Sequence, residues 1–161
     1  METGMKFRTQ LASLIVLTGI LTAPALAQNT KADVDKSIDT MLGDRTHSEV
    51  QRLLTDLQQA VARHDAAAVA ALVHYPIKIN PGTKPFTIRT PQTFIAHYDR
   101  IITPAIATAI QRQKYEDLFV NYKGAMFGNG EVWITSTCID KACKQTDIKI
   151  GTIQSTANLK K

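Results

Sequence analysis

The chain has 161 residues, of which 44% are hydrophobic and 20% are charged, and its formal net charge is +5. This length suits one domain with one hydrophobic core. The basic residues are scattered, with the densest group at Lys160-Lys161, and this excludes the basic stripe or motif of a nucleic-acid-binding protein.

Residues 5–27 have the three-part pattern of a secretory signal peptide. Lys6 and Arg8 form a positive head, Leu11–Leu21 is mostly apolar, and Ala25-Leu26-Ala27 is a small-x-small cleavage site. The apolar run is shorter than the roughly 20 residues that cross a bilayer, although an uncleaved anchor helix is the alternative. We therefore predict cleavage after Ala27 and a periplasmic or secreted product without a membrane span.

The predicted organisation has four parts. They are a signal peptide with a short N-terminal extension (1–27), a polar leader or short helix (28–45), one α+β domain (46–156) and a basic tail (157–161). The leader has a weak apolar face formed by Val34, Ile38, Met41 and Leu42.

Two helices are predicted at the start of the domain. Thr46 and Glu49 match a capping box that starts a helix over Ser48–Arg63. Its inner face repeats at helical spacing through Val50, Leu53, Leu54, Leu57 and Val61. Asp65 is the predicted N-cap of the second helix, which Pro76 stops.

The middle of the chain predicts a small hairpin followed by a third helical region. The short strands are Pro76–Asn80 and Phe86–Arg89, with Pro81-Gly82 as the turn. Thr90-Pro91 and Thr103-Pro104 are both helix starts, so two segments with a kink are expected. Their predicted inner face is Phe94, Ile95, Tyr98, Ile101, Ile102, Ile106 and Ile110.

From Asp117 onward the apolar pattern changes to a period of two, which predicts three long antiparallel strands. The first follows Asp117, the second is Glu131–Cys138 and the third is Asp147–Gln154. Gly128-Asn129-Gly130 is a strong hairpin turn. Glu131 and Asp147 are expected at solvated strand ends.

The two cysteines, Cys138 and Cys143, suggest a metal clasp, a redox pair or a structural disulfide. A zinc site needs two more ligands, and the sequence offers no second Cys pair or His-x3-His. An exported protein favours the disulfide, which contributes roughly 2 kcal/mol for so short a loop. If the two cysteines face each other, the simplest register places Trp133 beside Ile148. No metal or cofactor is predicted.

The order of helices and strands resembles the nuclear transport factor 2-like superfamily, an α+β cone. The local stretches that carry the resemblance are Arg63-His64-Asp65, Tyr75-Pro76, Phe94–Tyr98 and Gly124–Ile134. The resemblance implies a curved antiparallel sheet wrapped around the helices, with a conical cavity that often holds small apolar ligands. Sheet-face dimers are also common in that superfamily, so a homodimer is an open alternative.

The candidate site residues are those that a cavity would gather. The proposed pocket lining is Tyr75, Phe94, Tyr98, Tyr122, Trp133 and Ile148, for which plain core packing is the alternative. The candidate catalytic group is His97 as base, Asp99 as its orienter and Tyr98 as a hydrogen-bond donor. Tyr98 shares the inner face of Phe94 and Ile102, whereas His97 and Asp99 flank that face. Surface or boundary positions on an amphipathic helix are the alternative for this group.

Three functions fit these patterns. The first is a non-catalytic binding or accessory domain that holds a small apolar ligand or a protein partner, and it is favoured because no convincing acid–base pair is found. The second is a cavity enzyme of the isomerase, cyclase or dehydratase kind. The third is a periplasmic immunity or inhibitor-like interaction protein.

Overall fold

A computed structural model describes Met1 and residues 29–143 and 145–157. The predicted signal peptide and its cleavage site lie outside the described residues, as does the tail after Ala157. The described part is an α+β fold with a six-stranded sheet.

The helices and strands follow one another in a simple order along the chain. The helices are α1 (Lys31–Leu42), α2 (His47–Ala62), α3 (Ala66–Ala71), α4 (Pro91–Ala96), α5 (Tyr98–Ile101) and α6 (Pro104–Arg112), followed by a 3-10 turn (Tyr115–Asp117). The strands are β1 (Val73–Asn80), β2 (Phe86–Ile88), β3 (Phe119–Asn121), β4 (Gly124–Phe127), β5 (Val132–Cys138) and β6 (Thr146–Gln154).

The sheet is mixed and curved, with the strand order β2-β1-β6-β5-β4-β3. All neighbours are antiparallel except β1 and β6, which are parallel, so the prediction of a fully antiparallel sheet was wrong. The final strand β6 enters between β5 and β1, and this gives β1 a backbone partner on each side. The first hairpin and the later meander thereby form one sheet.

One face of this sheet is covered by the helices, and the core lies between them. Its largest fully buried side chains are Phe94, Phe127, Ile38, Leu57, Ile77, Ile79, Ile88, Ile101, Ile106, Ile110, Ile134 and Ile150. Every helix except α3 and every strand except β3 contributes a residue to this set, and α3 adds the smaller buried residues Val69 and Ala70.

The segment that the sequence left as a leader or a short helix is α1. Thr30 and Asp33 form a reciprocal capping box at its start, and Val34, Ile38 and Leu42 are buried. Tyr115 donates a hydrogen bond from its hydroxyl to Asp35 Oδ1 over 2.7 Å. These contacts join α1 to the domain.

Asp35 is held in its charged form by the same contacts. Desolvation raises the pKa of this carboxyl, but the hydrogen bonds from Lys31 and Tyr115 act in the opposite direction and leave the pKa below its usual value. Desolvation, together with the hydrogen bond to Asp35, also raises the pKa of Tyr115.

The start of α2 differs from the predicted capping box. Thr46 has helical dihedral angles, and its hydroxyl donates to the Gly43 carbonyl instead of capping α2. The cap comes from α1, because Asp39 Oδ1 accepts from the His47 backbone N–H and Asp39 Oδ2 lies 2.7 Å from His47 Nδ1. The predicted cap at Asp65 is confirmed, since its side chain accepts from the Ala68 N–H.

Pro76 lies inside a strand instead of ending a helix. Helix α3 stops at Ala71, and the Ile150 N–H already donates to the Leu72 carbonyl, so pairing with β6 begins before the proline. The register of β1 against β6 shifts between Val73 and Lys78, which is the kind of irregularity that accommodates a proline in a sheet. The Tyr75–Pro76 peptide bond is cis.

The third helical region is broken twice, at His97 as well as at Thr103. The expected caps form at Thr90, which accepts from the Thr93 N–H, and at Thr103, which accepts from the Ile106 N–H. Ile95 is 42% exposed, so its predicted inward position was wrong. Ile95 follows the fully buried Phe94 and lies about 100° further round the helix, which places it on the solvent side.

The meander contains four strands where three were predicted. The extra strand arises because Tyr122-Lys123 forms a tight turn between the short strands β3 and β4. A register shift between Trp133 and Ile134 places Trp133 opposite Thr152. The predicted pairing of Trp133 with Ile148 was therefore wrong. Ile148 lies opposite Ser136 instead.

The β5–β6 loop carries the predicted disulfide between Cys138 and Cys143. Cys138 pairs with Thr146 in the sheet, so Cys143 belongs to the turn and not to β6.

The predicted solvated position of Glu131 was wrong. This side chain is buried, and its carboxylate accepts from the Asn129 N–H and from the Thr156 hydroxyl, which anchors the turn before β5.

Candidate functional site

The predicted catalytic group is separated by the structure. His97 is exposed at the break between α4 and α5, whereas Tyr98 is buried in the core. Asp99 lies 3.1 Å from Nε2 of His64, not His97, and both members of that pair are largely exposed. The cluster that forms is therefore His64, Tyr98 and Asp99, with the His64 ring edge-on to the Tyr98 ring at a centroid distance of 4.8 Å.

This cluster does not contain a base that faces a cavity. Burial raises the pKa of Tyr98, and the charges of Asp99 and Asp65 raise it further, so the phenol stays protonated. Tyr98 therefore does not serve as a base, and the His64–Asp99 pair lies in solvent. The geometry does not support a base and orienter made of His97 and Asp99.

The hydroxyl of Tyr98 is the buried polar atom without a hydrogen-bond partner among the described residues. We expect Tyr98→Phe to raise the free energy of unfolding by about 1 kcal/mol or more, because an unpartnered buried hydroxyl is costly. The measurement is equilibrium unfolding in urea. Tyr75→Phe is the matched control, since Tyr75 donates to the Ala70 carbonyl over 3.0 Å and its loss should cost about 0.5–1.5 kcal/mol. Equal losses for both variants would show that the Tyr98 hydroxyl has a partner.

The proposed pocket-lining residues do not meet around one space. Phe94, Tyr98 and Ile148 are buried in the core, and Tyr75 packs edge-on against Phe94 with its phenol pKa raised to about 12 by burial. Trp133 and Tyr122 lie outside that core. Tyr122 is 80% exposed in the β3–β4 turn.

A different set of residues, some exposed and some half-buried, lies on the other face of the sheet. One row of paired residues crosses all six strands, and none of its members is buried. We call it the outer row: Phe119, Met126, Trp133, Thr152, Lys78 and Thr87. The rows on either side of it belong to the core, because successive residues of a strand point to opposite faces.

The outer row has an apolar half and a polar half. Phe119, Met126 and Trp133 are neighbours on β3, β4 and β5, and Phe119 is 54% exposed. Cross-strand neighbours lie about 5 Å apart, so these three side chains form a continuous apolar surface. Thr152 and Lys78 continue the row as polar residues.

A shallow depression of about 240 Å³ lies beside Trp133 on the same face. Its lining is Lys123, Trp133, Thr135, Thr152 and Gln154. An indole ring, a lysine side chain, two threonine hydroxyls and one glutamine amide therefore lie together next to the apolar half of the outer row. This combination of an aromatic anchor and polar surroundings is typical of protein-binding surfaces.

Sequence reasoning selected Trp133 and Tyr122 but missed Phe119 and Met126. Phe119 alternates with Leu118 and Val120, whose side chains are directed to the core, so an aromatic residue occupies a solvent-facing position of the strand. A large apolar residue at such a position could have been noticed from the alternation in the sequence. Met126 could not be found in this way, because β4 was not predicted as a strand.

The described residues contain no group of three or more His, Cys, Asp or Glu side chains arranged to hold a metal ion. Among the same residues, no helix combines the length and apolar character required to cross a bilayer. Comparison with protein-family models, with curated proteins and with solved structures found no match for this chain.

Proposed function

We propose that the chain is a non-catalytic binding domain that holds a protein partner on the solvent-facing side of its sheet. The observation that carries this proposal is the outer row, in which the exposed Phe119 and the half-buried Met126 and Trp133 are apolar neighbours on the face opposite a filled core. Large exposed apolar surfaces on a folded domain are typical of interaction sites. The partner-binding form of the first predicted function is thus favoured over the form that holds a small apolar ligand.

The filled core between the helices and the sheet also favours a protein partner over a small apolar ligand. The space between helices and sheet is occupied by Phe94, Phe127 and a set of isoleucines, all less than 2% exposed. A ligand cavity would need this space, since such sites usually enclose several hundred Å³. The cavity-enzyme alternative has the same difficulty, and its candidate base His97 is exposed.

We also propose that the domain is a distant member of the nuclear transport factor 2-like superfamily and acts in the periplasm or outside the cell. The order of three helices, a hairpin, further helices and a meander supports the first part. The disulfide between Cys138 and Cys143 supports the second, because such bonds persist in oxidising compartments.

The test places a photo-crosslinking amino acid at Met126 in the outer row, in the cells that make the protein. We expect one predominant cross-linked protein, and binding of that purified partner should weaken at least about tenfold in Trp133→Ser or Phe119→Ser. Apolar and aromatic residues at the centre of an interface carry most of the binding energy, which is the reason for so large an effect. Calorimetry or surface plasmon resonance gives the dissociation constants.

Two controls make this test specific. The same photo-crosslinker at Gln92, which is exposed on α4, should give no such product. Thr87→Ser, at the polar end of the outer row, should change the dissociation constant by less than about twofold. Similar cross-linking from both positions, or unchanged binding by Trp133→Ser, would reject the proposed function.

A further inference from the structure

A groove of about 350 Å³ lies between the start of α1 and strand β3. Its lining among the described residues is Asn29, Asp33, Val34, Ser37, Asp117, Leu118, Phe119 and Val120. The groove therefore joins the outer row at Phe119, where the sheet ends. It has an apolar floor and two carboxylates, and no lysine or arginine belongs to this lining.

Strand β3 is an edge of the sheet, and its backbone is open on the groove side. Phe119 pairs with Met126, and Asn121 pairs with Gly124 across the two-residue turn. In an antiparallel pair the hydrogen-bonded positions alternate, so Phe119 and Asn121 bond to β4 while the N–H and C=O of Val120 face the open edge. One donor and one acceptor are thus presented beside the groove.

This edge lacks some of the features that commonly block strand addition. Natural sheets protect their edges with lysine, proline, bulges or very short strands. Strand β3 is short, at three residues, but it contains no lysine, proline or bulge, and its register with β4 is regular. The opposite edge strand β2 follows Lys84 and Pro85. Among the described residues, β3 is thus the edge strand that adjoins a groove and has no lysine or proline in or directly before it.

We propose that an extended segment of the partner protein adds to the sheet alongside β3, with a basic side chain in the groove. This proposal rests on the proposed function, because the added strand would extend the outer row beyond Phe119. The partner residue opposite Val120 bonds to its backbone and directs its side chain to the helix side, towards Asp33 and Ser37. Its two neighbours direct apolar side chains to the solvent side, next to Phe119.

The charge of the groove favours a different protein over a second copy of this chain. Two copies paired through β3 would bring two acidic grooves together, with Asp33 and Asp117 of one facing those of the other. Like charges placed opposite each other destabilise a strand pair. Asp33 Oδ2 already accepts from the backbone N–H and the hydroxyl of Thr30, so a lysine or arginine of the added segment would pair chiefly with Asp117. The acidic lining is the reason that we specify a basic segment.

The test uses the purified chain labelled with 15N and the probe peptide acetyl-VTVKVTV-amide. We expect the peptide to slow hydrogen exchange of the Val120 amide and to shift the resonances of β3. The peptide acetyl-VTVEVTV-amide should bind about tenfold more weakly, because its carboxylate meets Asp33 and Asp117. Asp117→Lys should weaken binding of the lysine peptide by about threefold to tenfold.

Glu116→Lys is the matched control, since it makes the same change in charge at the neighbouring exposed residue outside the groove lining. It should leave the affinity within about twofold. Equal affinity for the two peptides, or no effect on the Val120 amide, overturns the proposal. Protection of that amide before any peptide is added also overturns it, because the edge would then be occupied by the chain itself or by a second copy.

This result is separable from the test of the proposed function. If cross-linking at Met126 succeeds while the Val120 amide is unaffected, the partner covers the outer row without adding a strand. If the peptide protects Val120 while Trp133→Ser leaves partner binding unchanged, strand addition stands and the role of the outer row fails.

Discussion

Replacing Gly124 with alanine is expected to lower the free energy of unfolding by about 2–6 kcal/mol. Gly124 has a φ of +138°, a backbone conformation that is essentially restricted to glycine, and this strain alone costs about 1–3 kcal/mol. An added Cβ would also collide with the carbonyl oxygen of Ile134 on the neighbouring strand β5. Because a backbone atom cannot move without disturbing the sheet, the collision adds about 1–3 kcal/mol.

Gly43→Ala separates the two contributions. Gly43 has nearly the same φ, +134°, but its added Cβ would meet the Thr46 methyl carbon at 3.3 Å and no backbone atom. The loss in free energy of unfolding for Gly43→Ala should therefore reflect backbone strain alone. Urea unfolding gives this loss for both variants, and the difference between the two losses is the cost of the collision at Gly124. If the two substitutions cost the same, the close approach of β4 and β5 at Gly124 is wrong.

Replacing Ile38 with alanine is expected to lower the free energy of unfolding by about 2–5 kcal/mol. Ile38 is completely buried in the core although it belongs to α1, the helix that precedes the predicted domain. The removed side chain leaves a cavity against the rest of the fold, and the surrounding residues relax only in part. The cooperative unfolding midpoint in urea measures the loss.

Met41→Ala is the control for this prediction, because Met41 lies on the same helix and is 50% exposed. Methionine and alanine have similar helix propensities, so the change should stay within about 0.5 kcal/mol. Comparable small effects at both positions would mean that α1 is not part of the cooperative unit. A large effect at Ile38 alone establishes that α1 folds with the sheet.

The sequence located the local features of the fold well. The caps at Asp65, Thr90 and Thr103 formed as predicted, because each needs only a side-chain oxygen and a backbone N–H three residues later. The disulfide between Cys138 and Cys143 is local in the same sense. The same reasoning failed at Thr46, where Asp39 of a neighbouring helix supplies the cap.

The candidate site was found only in part. Trp133 was selected as an aromatic residue of a strand, but the sequence could not place it on the solvent side. That placement follows from the register shift next to Trp133 and from the burial of Ile134, both of which depend on β4 and β6 as neighbours. The proposed roles of Phe119 and Val120 depend on the position of β3 at the edge of the sheet, which only the tertiary structure shows.

The amino-acid sequence by itself determined the helix starts at Asp65, Thr90 and Thr103, the period-two pattern of the last strands and the short disulfide loop, since those features are set by interactions within a few residues. Only the tertiary structure decided that β6 lies between β1 and β5, that α1 joins the core and that one row of the sheet faces solvent. Those features depend on contacts between distant segments, which are chosen by how the apolar surface of the whole chain is buried.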